Sequence, residues 1–206
     1  MLIGLCGKAG AGKDTVFARA VEMAERMGLP RPERIAFADK LKQSAALLLD
    51  ISVDDLNSYK TSSSGGHLTV LGKPMSMRLF LQRYGTEAHR DVFGFDFWVD
   101  AALPFGFDHS DRIVFITDVR FSNESERVRL LGGKVVNVLG VDSEISAGAA
   151  GHASEDGIYD VDHTIDNTSR GSFGELDRQV RSLMADYWPH YSVAETGDPK
   201  DVTIAT

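Results

Sequence analysis

The sequence has one cysteine, no long hydrophobic segment and no excess of positive charge. Because Cys6 has no second cysteine to pair with, an intramolecular disulfide is excluded, and we expect a protein of a reducing cytoplasm. No apolar segment approaches the ~20 residues that cross a bilayer, and the first residues carry no basic leader, so neither a membrane location nor secretion is expected. No C-x-x-C or H-x-x-x-H spacing occurs, which argues against a structural zinc site.

The charge balance is acidic. The 22 lysines and arginines face 30 aspartates and glutamates, so the formal net charge is -8 at pH 7. Proteins that bind nucleic acid without sequence preference normally have a basic surface, so nucleic acid is not expected as a partner. A local basic pocket for a small anion stays compatible with this balance. The 206 residues, 43% of them hydrophobic, are enough for one domain with a sizeable core.

Short apolar segments alternate with amphipathic helical patterns. A continuously apolar segment such as Ile113–Ile116 is typical of a strand covered on both faces, which favours a parallel sheet. We therefore expect an α/β fold with a parallel five-stranded sheet flanked by helices. The predicted strands are Leu2–Cys6, Arg34–Ala38, Ile113–Asp118, Lys134–Leu139 and His163–Ile165. The predicted helices between and after them run from Val16 to Met27, from about Asn123 to Leu131 and from Phe173 to Tyr187.

Two segments interrupt the alternation. About 75 residues separate the second and third predicted strands, too many for a single crossover. They contain predicted helices near Asp39–Leu49 and Met75–Arg90, with a polar loop over 61–66 between them. Gly85, inside the second of these helices, predicts a close backbone approach or a helix break. The other interruption, 141–153, is rich in small residues and is expected to be mobile.

The strongest chemical signal follows the first predicted strand. The spacing Gly7-x-x-x-x-Gly12-Lys13, between a strand and a helix, is that of a nucleotide-binding P-loop. Glycines let successive backbone N–H groups turn towards a phosphate, and the lysine adds a positive charge at the outer phosphates. The spacing differs from G-x-G-x-x-G, so a dinucleotide site is not expected. The residues predicted to hold the nucleotide phosphates are Gly7, Gly10, Ala11, Gly12 and Lys13.

The residue after the lysine departs from the usual motif. Asp14 stands where P-loops carry Ser or Thr, and the hydroxyl comes one residue later, at Thr15. A carboxylate at this position could bind Mg²⁺ directly or through water, whereas without the metal it would repel phosphates. Both Asp14 and Thr15 are therefore candidates for holding the cation.

A carboxylate and a guanidinium follow the third predicted strand. Asp118 ends this strand, where an acid can orient Mg²⁺ or its waters beside the loop. Arg120 could neutralise charge on a transferred phosphoryl group. The alternative is that Asp118 caps the next helix and Arg120 pairs with it, and the two roles can coexist.

The long segment between the second and third predicted strands carries basic and aromatic residues. Arg78 and Gln82 share one helix face, while Arg90 shares another with Arg83 and Glu87. Arginines in an acidic protein suit a second anionic substrate, although each could equally form a surface ion pair. Similar alternatives stay open for the pair Phe97 and Trp98, as base-stacking or core residues. Lys40, beside Asp39, could belong to a solvated helix face.

Taken together, these features resemble the bacteriophage deoxynucleoside monophosphate kinase family. The resemblance runs in order through about residues 1 to 190. It is carried by Gly12–Thr15, Phe37–Lys42, Leu81–Arg90, Phe97–Trp98, Asp118–Glu124, His152–Glu155 and Ile165–Asn167. It implies a three-layer P-loop NTPase fold in one kinase domain over 1–206. The implied parts are a core (1–38, 107–140 and 157–190), a monophosphate-binding insertion (about 39–106), a lid (about 141–156) and a frayed tail (about 196–206).

The resemblance also implies roles for individual residues. Lys13, Asp118 and Arg120 would be catalytic, with Mg²⁺ at Asp14 and Asp118. Asn167 would lie near the adenine of ATP. The acceptor nucleotide would be bound by Asp39, Lys40, Arg78, Gln82, Arg90, Trp98 and Arg120. Since the expected lid contains no Arg or Lys, its charge must be replaced from elsewhere, for example by Arg120 or Arg127.

The function predicted on this basis is ATP- and Mg²⁺-dependent phosphoryl transfer to a deoxynucleoside 5′-monophosphate, giving the diphosphate. The expected partners are small-molecule nucleotides, a homodimer is compatible with the sequence, and the expected location is the cytoplasm, that of the host for a bacteriophage protein. One alternative is a related P-loop kinase that acts on a modified nucleotide within DNA. Another is a nucleotide-binding protein without transfer activity.

Overall fold

The computed structural model describes residues 1–61, 67–70, 73–140, 160–168 and 173–187. The chain divides into two compact units, one formed by Met1–Ile35 with the chain from Gly106 onwards, the other by Ala36–Phe105. The predicted lid (141–156) and tail (196–206) lie outside the described residues, as does the segment His152–Glu155. The functional division into core, insertion and lid stays a prediction.

Along the chain, helices lie between several of the described strands of the first unit. The elements, in order, are β1 (Leu2–Cys6), α1 (Lys13–Met27), β2 (Glu33–Ile35), α2 (Phe37–Leu49), α3 (Val53–Thr61), β3 (His67–Val70), β4 (Lys73–Ser76), α4 (Met77–Gly85), a π-helical turn (Thr86–Arg90), α5 (Asp91–Phe93), α6 (Phe97–Ala102), β5 (Val114–Ile116), α7 (Ser122–Leu130), β6 (Lys134–Gly140), β7 (His163–Asn167) and α8 (Phe173–Tyr187). No helix of the described residues is long and apolar enough to span a membrane.

The first unit contains a five-stranded sheet in the order β2-β5-β1-β6-β7. Every neighbouring pair of these strands is parallel. The predicted α/β fold with a parallel five-stranded sheet is therefore confirmed. Because the strands are parallel, their carboxyl ends meet at one edge of the sheet, and the segments that follow β1, β5 and β7 emerge there.

Helices cover both faces of this sheet. On one face, Ile3 and Leu5 of β1 are fully buried in a cluster that includes residues of α1 and α8. On the other face, a Cβ atom added at Gly4 would lie 3.2 Å from Val128 of α7. Successive residues of a strand point to opposite faces, so β1 packs against helices on both sides. The result is the expected three-layer arrangement of helix, sheet and helix.

The predicted end of the second strand, at Ala38, is wrong. β2 stops at Ile35, and helix α2 begins at Phe37, so Phe37 and Ala38 belong to that helix and Asp39 lies in its first turn. The apolar run Ile35–Ala38 contains no polar position that would mark the change. Ala36 and Phe37 are apolar because both are buried, at 3% exposure each, and not because the strand continues.

The second unit consists of helices and a short antiparallel hairpin, in which Leu68 of β3 pairs with Met75 of β4. The helix predicted near Met75–Arg90 begins at Met77, where Ser76 Oγ accepts a hydrogen bond from Leu79 N at 3.2 Å and caps the first turn of α4. Neither the hairpin nor helix α3 is among the predicted elements. Leu56 of α3 is fully buried, which anchors that helix in the unit.

The close approach expected at Gly85 is confirmed. A Cβ atom there would lie 2.4 Å from Leu41 Cδ1, so a side chain at position 85 would require the Leu41 side chain between α2 and α4 to move. The buried indole of Trp98 donates a hydrogen bond to Gly85 O at 3.0 Å. The α-helical geometry ends at this residue, and the π-helical turn follows.

Candidate functional site

The loop between β1 and α1 has the backbone shape that its glycines permit. Gly7, Gly10 and Gly12 have φ angles of 127°, 79° and 92°, a region that residues with side chains rarely adopt. Ala11 N donates to Lys8 O at 3.1 Å, which closes a turn inside the loop. The strand, the tight glycine-containing loop and the helix therefore follow one another as a P-loop requires.

The Lys13 ammonium lies across this loop. Its Nζ donates to Gly7 O at 2.7 Å and to Lys8 O at 3.0 Å. Burial and the nearby positive charge of Arg120 lower the pKa of Lys13, while the negative charges of Asp14 and Asp118 act in the opposite direction. The structure thus brings the predicted catalytic residues Lys13, Asp118 and Arg120 within electrostatic range of one another.

The segment after β5 is held by backbone hydrogen bonds to two neighbouring strands. Thr117 N donates to Ile35 O at 3.0 Å, and Val119 N donates to Leu5 O at 3.1 Å. Asp118 lies between these two anchors and is therefore fixed at the carboxyl edge of the sheet, beside the end of β1. β5 ends at Ile116, so Asp118 follows this strand and does not end it as predicted, and its role in metal binding stays a prediction.

Glu124 holds the backbone around Arg120. One carboxylate oxygen of this buried residue accepts hydrogen bonds from Arg120 N at 2.7 Å and Phe121 N at 3.1 Å. Glu124 is not among the predicted site residues, although an acid three residues into a helix is a known capping signal. The Arg120 side chain itself is exposed at the surface of the first unit.

Asp14 and Thr15, the two candidates for holding a cation, differ in their surroundings. The Asp14 side chain is 87% exposed, and its Oδ1 lies 3.8 Å from Arg34 Nε of β2. Thr15 is half-buried, and its Oγ1 would lie 3.6 Å from a Cβ atom at Gly12, so it faces the loop. Arg34 is a further residue near the loop that was not predicted.

The candidate cation ligands near the loop are oxygen atoms. The described residues contain no group of three or more His, Cys, Asp or Glu side chains that could hold a metal ion. Mg²⁺ usually keeps several waters and binds one or two carboxylates together with substrate phosphates. Asp14, Thr15 and Asp118 supply that kind of donor set.

The side chain of Asn167, the last residue of β7, contacts the loop between β1 and α1. Its Nδ2 donates a hydrogen bond to Ala11 O at 3.0 Å. The predicted contact with adenine is not tested, and the contact that the structure contains is to the backbone of the P-loop. The pairing was not predictable from spacing, because the two residues are 156 positions apart in the sequence.

Six of the acceptor-binding candidates belong to the second unit. Asp39 and Lys40 lie in the first turn of α2, and Arg78 and Gln82 are exposed on α4. Arg90, in the π-helical turn, places its Cζ 5.3 Å from the ring centroid of Phe95. Trp98 is 4% exposed, so it is a packing residue of this unit. The acceptor-binding roles of all six stay predictions.

An aromatic cluster around His89 was not predicted. Its ring centroid lies 4.4 Å from that of Tyr84, 4.9 Å from that of Trp98 and 5.2 Å from that of Phe97. His89 Nδ1 is 2.6 Å from Tyr84 O, and since a carbonyl only accepts, this nitrogen is assigned the hydrogen. The π-helical turn that contains His89 and Arg90 is thereby tied to α4 and α6.

Of three comparisons with known proteins, only the one with solved structures gives a similarity, and it is distant. No protein-family model and no curated protein match the sequence. Among solved structures, the chain is similar to a dephospho-CoA kinase from Campylobacter jejuni, with 13% identity and a TM-score of 0.41 over 89% of this chain and 94% of that one. A similarity this distant assigns neither an activity nor a substrate.

Proposed function

We propose that the protein transfers the γ-phosphoryl group of ATP, with Mg²⁺, to the phosphate of a deoxynucleoside 5′-monophosphate and so forms the diphosphate. The observation that supports this most strongly is the P-loop: three glycines at positive φ and a lysine ammonium bound across the loop carbonyls. Such a loop presents backbone N–H groups and one mobile positive charge to a polyphosphate.

The residues around the loop suit phosphoryl transfer, which depends mainly on positioning and charge stabilisation. Lys13 would exchange its loop carbonyls for the outer phosphates of ATP. Arg120, whose charge already acts on Lys13, would stabilise negative charge on the transferred group. The attacking oxygen of a monophosphate is ionised at neutral pH, so the reaction needs no strong general base.

Asp118 would hold Mg²⁺ or its waters, with Asp14 or Thr15 as the second protein ligand. The ion would neutralise charge on the β- and γ-phosphates during transfer. Asp118 is suited to this because the backbone N–H groups of its flanking residues are hydrogen-bonded to Ile35 and Leu5, which holds the Asp118 backbone in place without a ligand.

The acceptor would be bound by residues of the second unit. Arg78 and Arg90 carry the guanidinium groups that match phosphate oxygens, and Gln82 lies one helical turn after Arg78. The resemblance to the deoxynucleoside monophosphate kinases supports this part of the proposal. The net charge of -8 disfavours a polymer substrate and leaves free nucleotides as the better acceptor class.

The test is ADP formation from Mg·ATP with each deoxynucleoside monophosphate, each ribonucleoside monophosphate, free deoxynucleosides and DNA as separate acceptors. We expect turnover with one or more monophosphates and none with deoxynucleosides or DNA. Turnover with DNA alone would identify the related kinase that acts within DNA. Tight ATP binding without turnover on any acceptor would identify a nucleotide-binding protein without transfer activity, and either result would contradict the proposal.

A further inference from the structure

One side chain connects the end of β7 to the phosphate loop. Asn167 Nδ2 donates to Ala11 O at 3.0 Å. A Cβ atom at Gly12 would lie 2.1 Å from the same nitrogen, far closer than non-bonded atoms approach. The amide of Asn167 therefore occupies the space that a side chain at position 12, the N-cap residue of α1, would need.

The neighbouring strand supports the loop from beside Asn167. Gly140 of β6 pairs in register with Asn167. A Cβ atom at Gly140 would lie 2.5 Å from Ala11 Cα, and one at Gly7 would lie 2.4 Å from Val138 O. The ends of β6 and β7 thus contact the loop closely, and we call Val138, Gly140 and Asn167 the loop support.

Asn167 is itself held in place by α8. Gln179 Oε1 accepts a hydrogen bond from Asp166 N at 2.8 Å, and Gln179 Nε2 donates to Asp166 O at 3.1 Å. This side-chain amide bonds both polar groups of one backbone residue, as a neighbouring strand would. β7 is an edge strand of the sheet that the described strands form, and Gln179 bonds its outer edge immediately before Asn167.

The hydrogen bond to Ala11 O sets the direction of the following N–H. In a planar trans peptide, the C=O of Ala11 and the N–H of Gly12 point in opposite directions. Because Asn167 holds the carbonyl on its own side, the Gly12 N–H is turned away from Asn167. Any ligand that uses this N–H depends on the peptide staying in that orientation.

We propose that Asn167 is a positioning residue for the phosphate loop, held by Gln179, and that it serves the polyphosphate end of the nucleotide and not the base. This inference rests on the proposed nucleotide-binding function. It differs from the adenine contact that the family resemblance implies. Removing the amide frees the Ala11–Gly12 peptide to rotate, which weakens binding of every polyphosphate by a similar factor.

The test measures binding of Mg²⁺ complexes of ATP, GTP, CTP and inorganic tripolyphosphate by titration calorimetry. Asn167→Ala removes the amide, and Asn167→Asp keeps its size but replaces the donor by an oxygen that repels Ala11 O. We expect both variants to bind all four ligands about five- to tenfold more weakly, as the loss of one hydrogen bond implies. Thr164→Ala, an exposed position on the same strand, is the matched control and should bind like the wild type.

Gln179→Ala gives an independent check, since it loosens the backbone before Asn167 without touching the loop. We expect a smaller loss of affinity that is again equal for the four ligands. Thermal unfolding of each variant separates positioning from stability. A lowered Tm with unchanged tripolyphosphate affinity of the folded protein would show a purely structural role and overturn the proposal.

The four ligands also distinguish a failure of the inference about Asn167 from a failure of the proposed function. A loss confined to ATP would show a contact with adenine and would overturn the inference while leaving the proposed function intact. Unchanged affinities in both Asn167 variants would overturn it as well. If the wild type binds none of the four polyphosphates, the proposed function fails together with the inference.

Discussion

The two units hold their candidate residues in different ways. In the first unit, Lys13 donates to two loop carbonyls and Asn167 to a third, so the loop has a defined shape without a ligand. In the second unit, Arg78 and Gln82 are exposed on α4. Long exposed side chains lose conformational entropy when a ligand orders them. Under the proposed function, the phosphate-binding loop is preorganised, whereas the exposed side chains of Arg78 and Gln82 would have to be ordered by the acceptor.

The largest effect is expected from Lys13→Ala. This variant loses the ammonium that lies across the loop, and we expect kcat/KM for ATP to fall by about 10²- to 10³-fold, since a preorganised charge at the transferred group is removed. Steady-state kinetics of ADP formation measure it. Arg26→Ala, in the last turn of the same helix and exposed, is the control and should keep wild-type kinetics. Full activity of a folded Lys13→Ala variant would refute the assignment of the loop.

Gly140→Ala tests the loop support from the side of β6. The added Cβ would lie 2.5 Å from Ala11 Cα and 3.0 Å from Ala11 O, both backbone atoms, so the loop must shift. We expect about tenfold weaker ATP binding and about 1–3 kcal/mol less free energy of unfolding. Calorimetric titration and urea unfolding give the two numbers.

Leu139→Ala, at the partly exposed neighbouring position of β6, is the matched control and should bind ATP normally. If Gly140→Ala binds ATP as tightly as the wild type, the loop tolerates displacement. In that case the shape of the loop without a ligand would not matter for ATP binding, and the first unit would not be preorganised.

Arg78→Ala tests the second unit. If the acceptor phosphate orders this guanidinium, the KM for the monophosphate should rise about tenfold while the KM for ATP stays unchanged. Arg83→Ala is the control from the same helix, because Arg83 Nε already pairs with Glu87 Oε1 at 3.6 Å. Equal changes in both KM values, or equal effects of Arg78→Ala and Arg83→Ala, would remove the distinction between the two units.

The smallest expected effect is a pH-dependent change in stability through Asp162. This residue lies at the amino ends of the strands, opposite the loop. Partial burial disfavours the Asp162 carboxylate, but the hydrogen bond from Val135 N at 2.8 Å and the Lys134 ammonium at 3.3 Å outweigh it and lower the pKa of Asp162. A carboxyl group with a lowered folded-state pKa stabilises the protein above its unfolded pKa of about 3.9, and this stabilisation is lost as the pH falls through the folded value.

Asp162→Asn should therefore lower the free energy of unfolding at pH 7 and have less effect at about pH 3, which lies below the unfolded pKa, so that part of the stabilisation is already lost in the wild type. Urea unfolding at the two pH values measures the difference. ATP binding at pH 7 should be unchanged, since the side chain is remote from the loop. An equal destabilisation at both pH values would show that the ionised form contributes nothing.

The parts of the molecule that the sequence predicts well depend on local pattern. Both predicted ends of the strand Leu2–Cys6 are confirmed, as is the predicted end of the first helix at Met27, before Gly28. The P-loop was recognisable because its glycines, lysine and flanking elements are contiguous. Gly85 was recognisable because a glycine inside a helical pattern has a cost that some close contact must explain.

The parts that were missed depend on contacts between distant residues. The hydrogen bond from Asn167 to Ala11 joins positions 156 apart, and no spacing rule connects them. The end of β2 was misplaced because the apolar Phe37 looks like a continuation of the strand. It is apolar because it is buried at the start of a helix of the second unit. The pairing of Arg34 with Asp14 requires the knowledge that β2 lies near the first turn of α1.

The central claim is that the loop holds ATP for transfer of its γ-phosphoryl group to a monophosphate. The most direct measurement uses ATP that carries ¹⁸O in the γ-phosphoryl group, with a turning-over deoxynucleoside monophosphate and Mg²⁺, and mass spectrometry of the products. The account predicts that the label appears in the newly formed nucleoside diphosphate, in an amount equal to the ADP released. Label found only in inorganic phosphate, with the monophosphate unchanged, would contradict it.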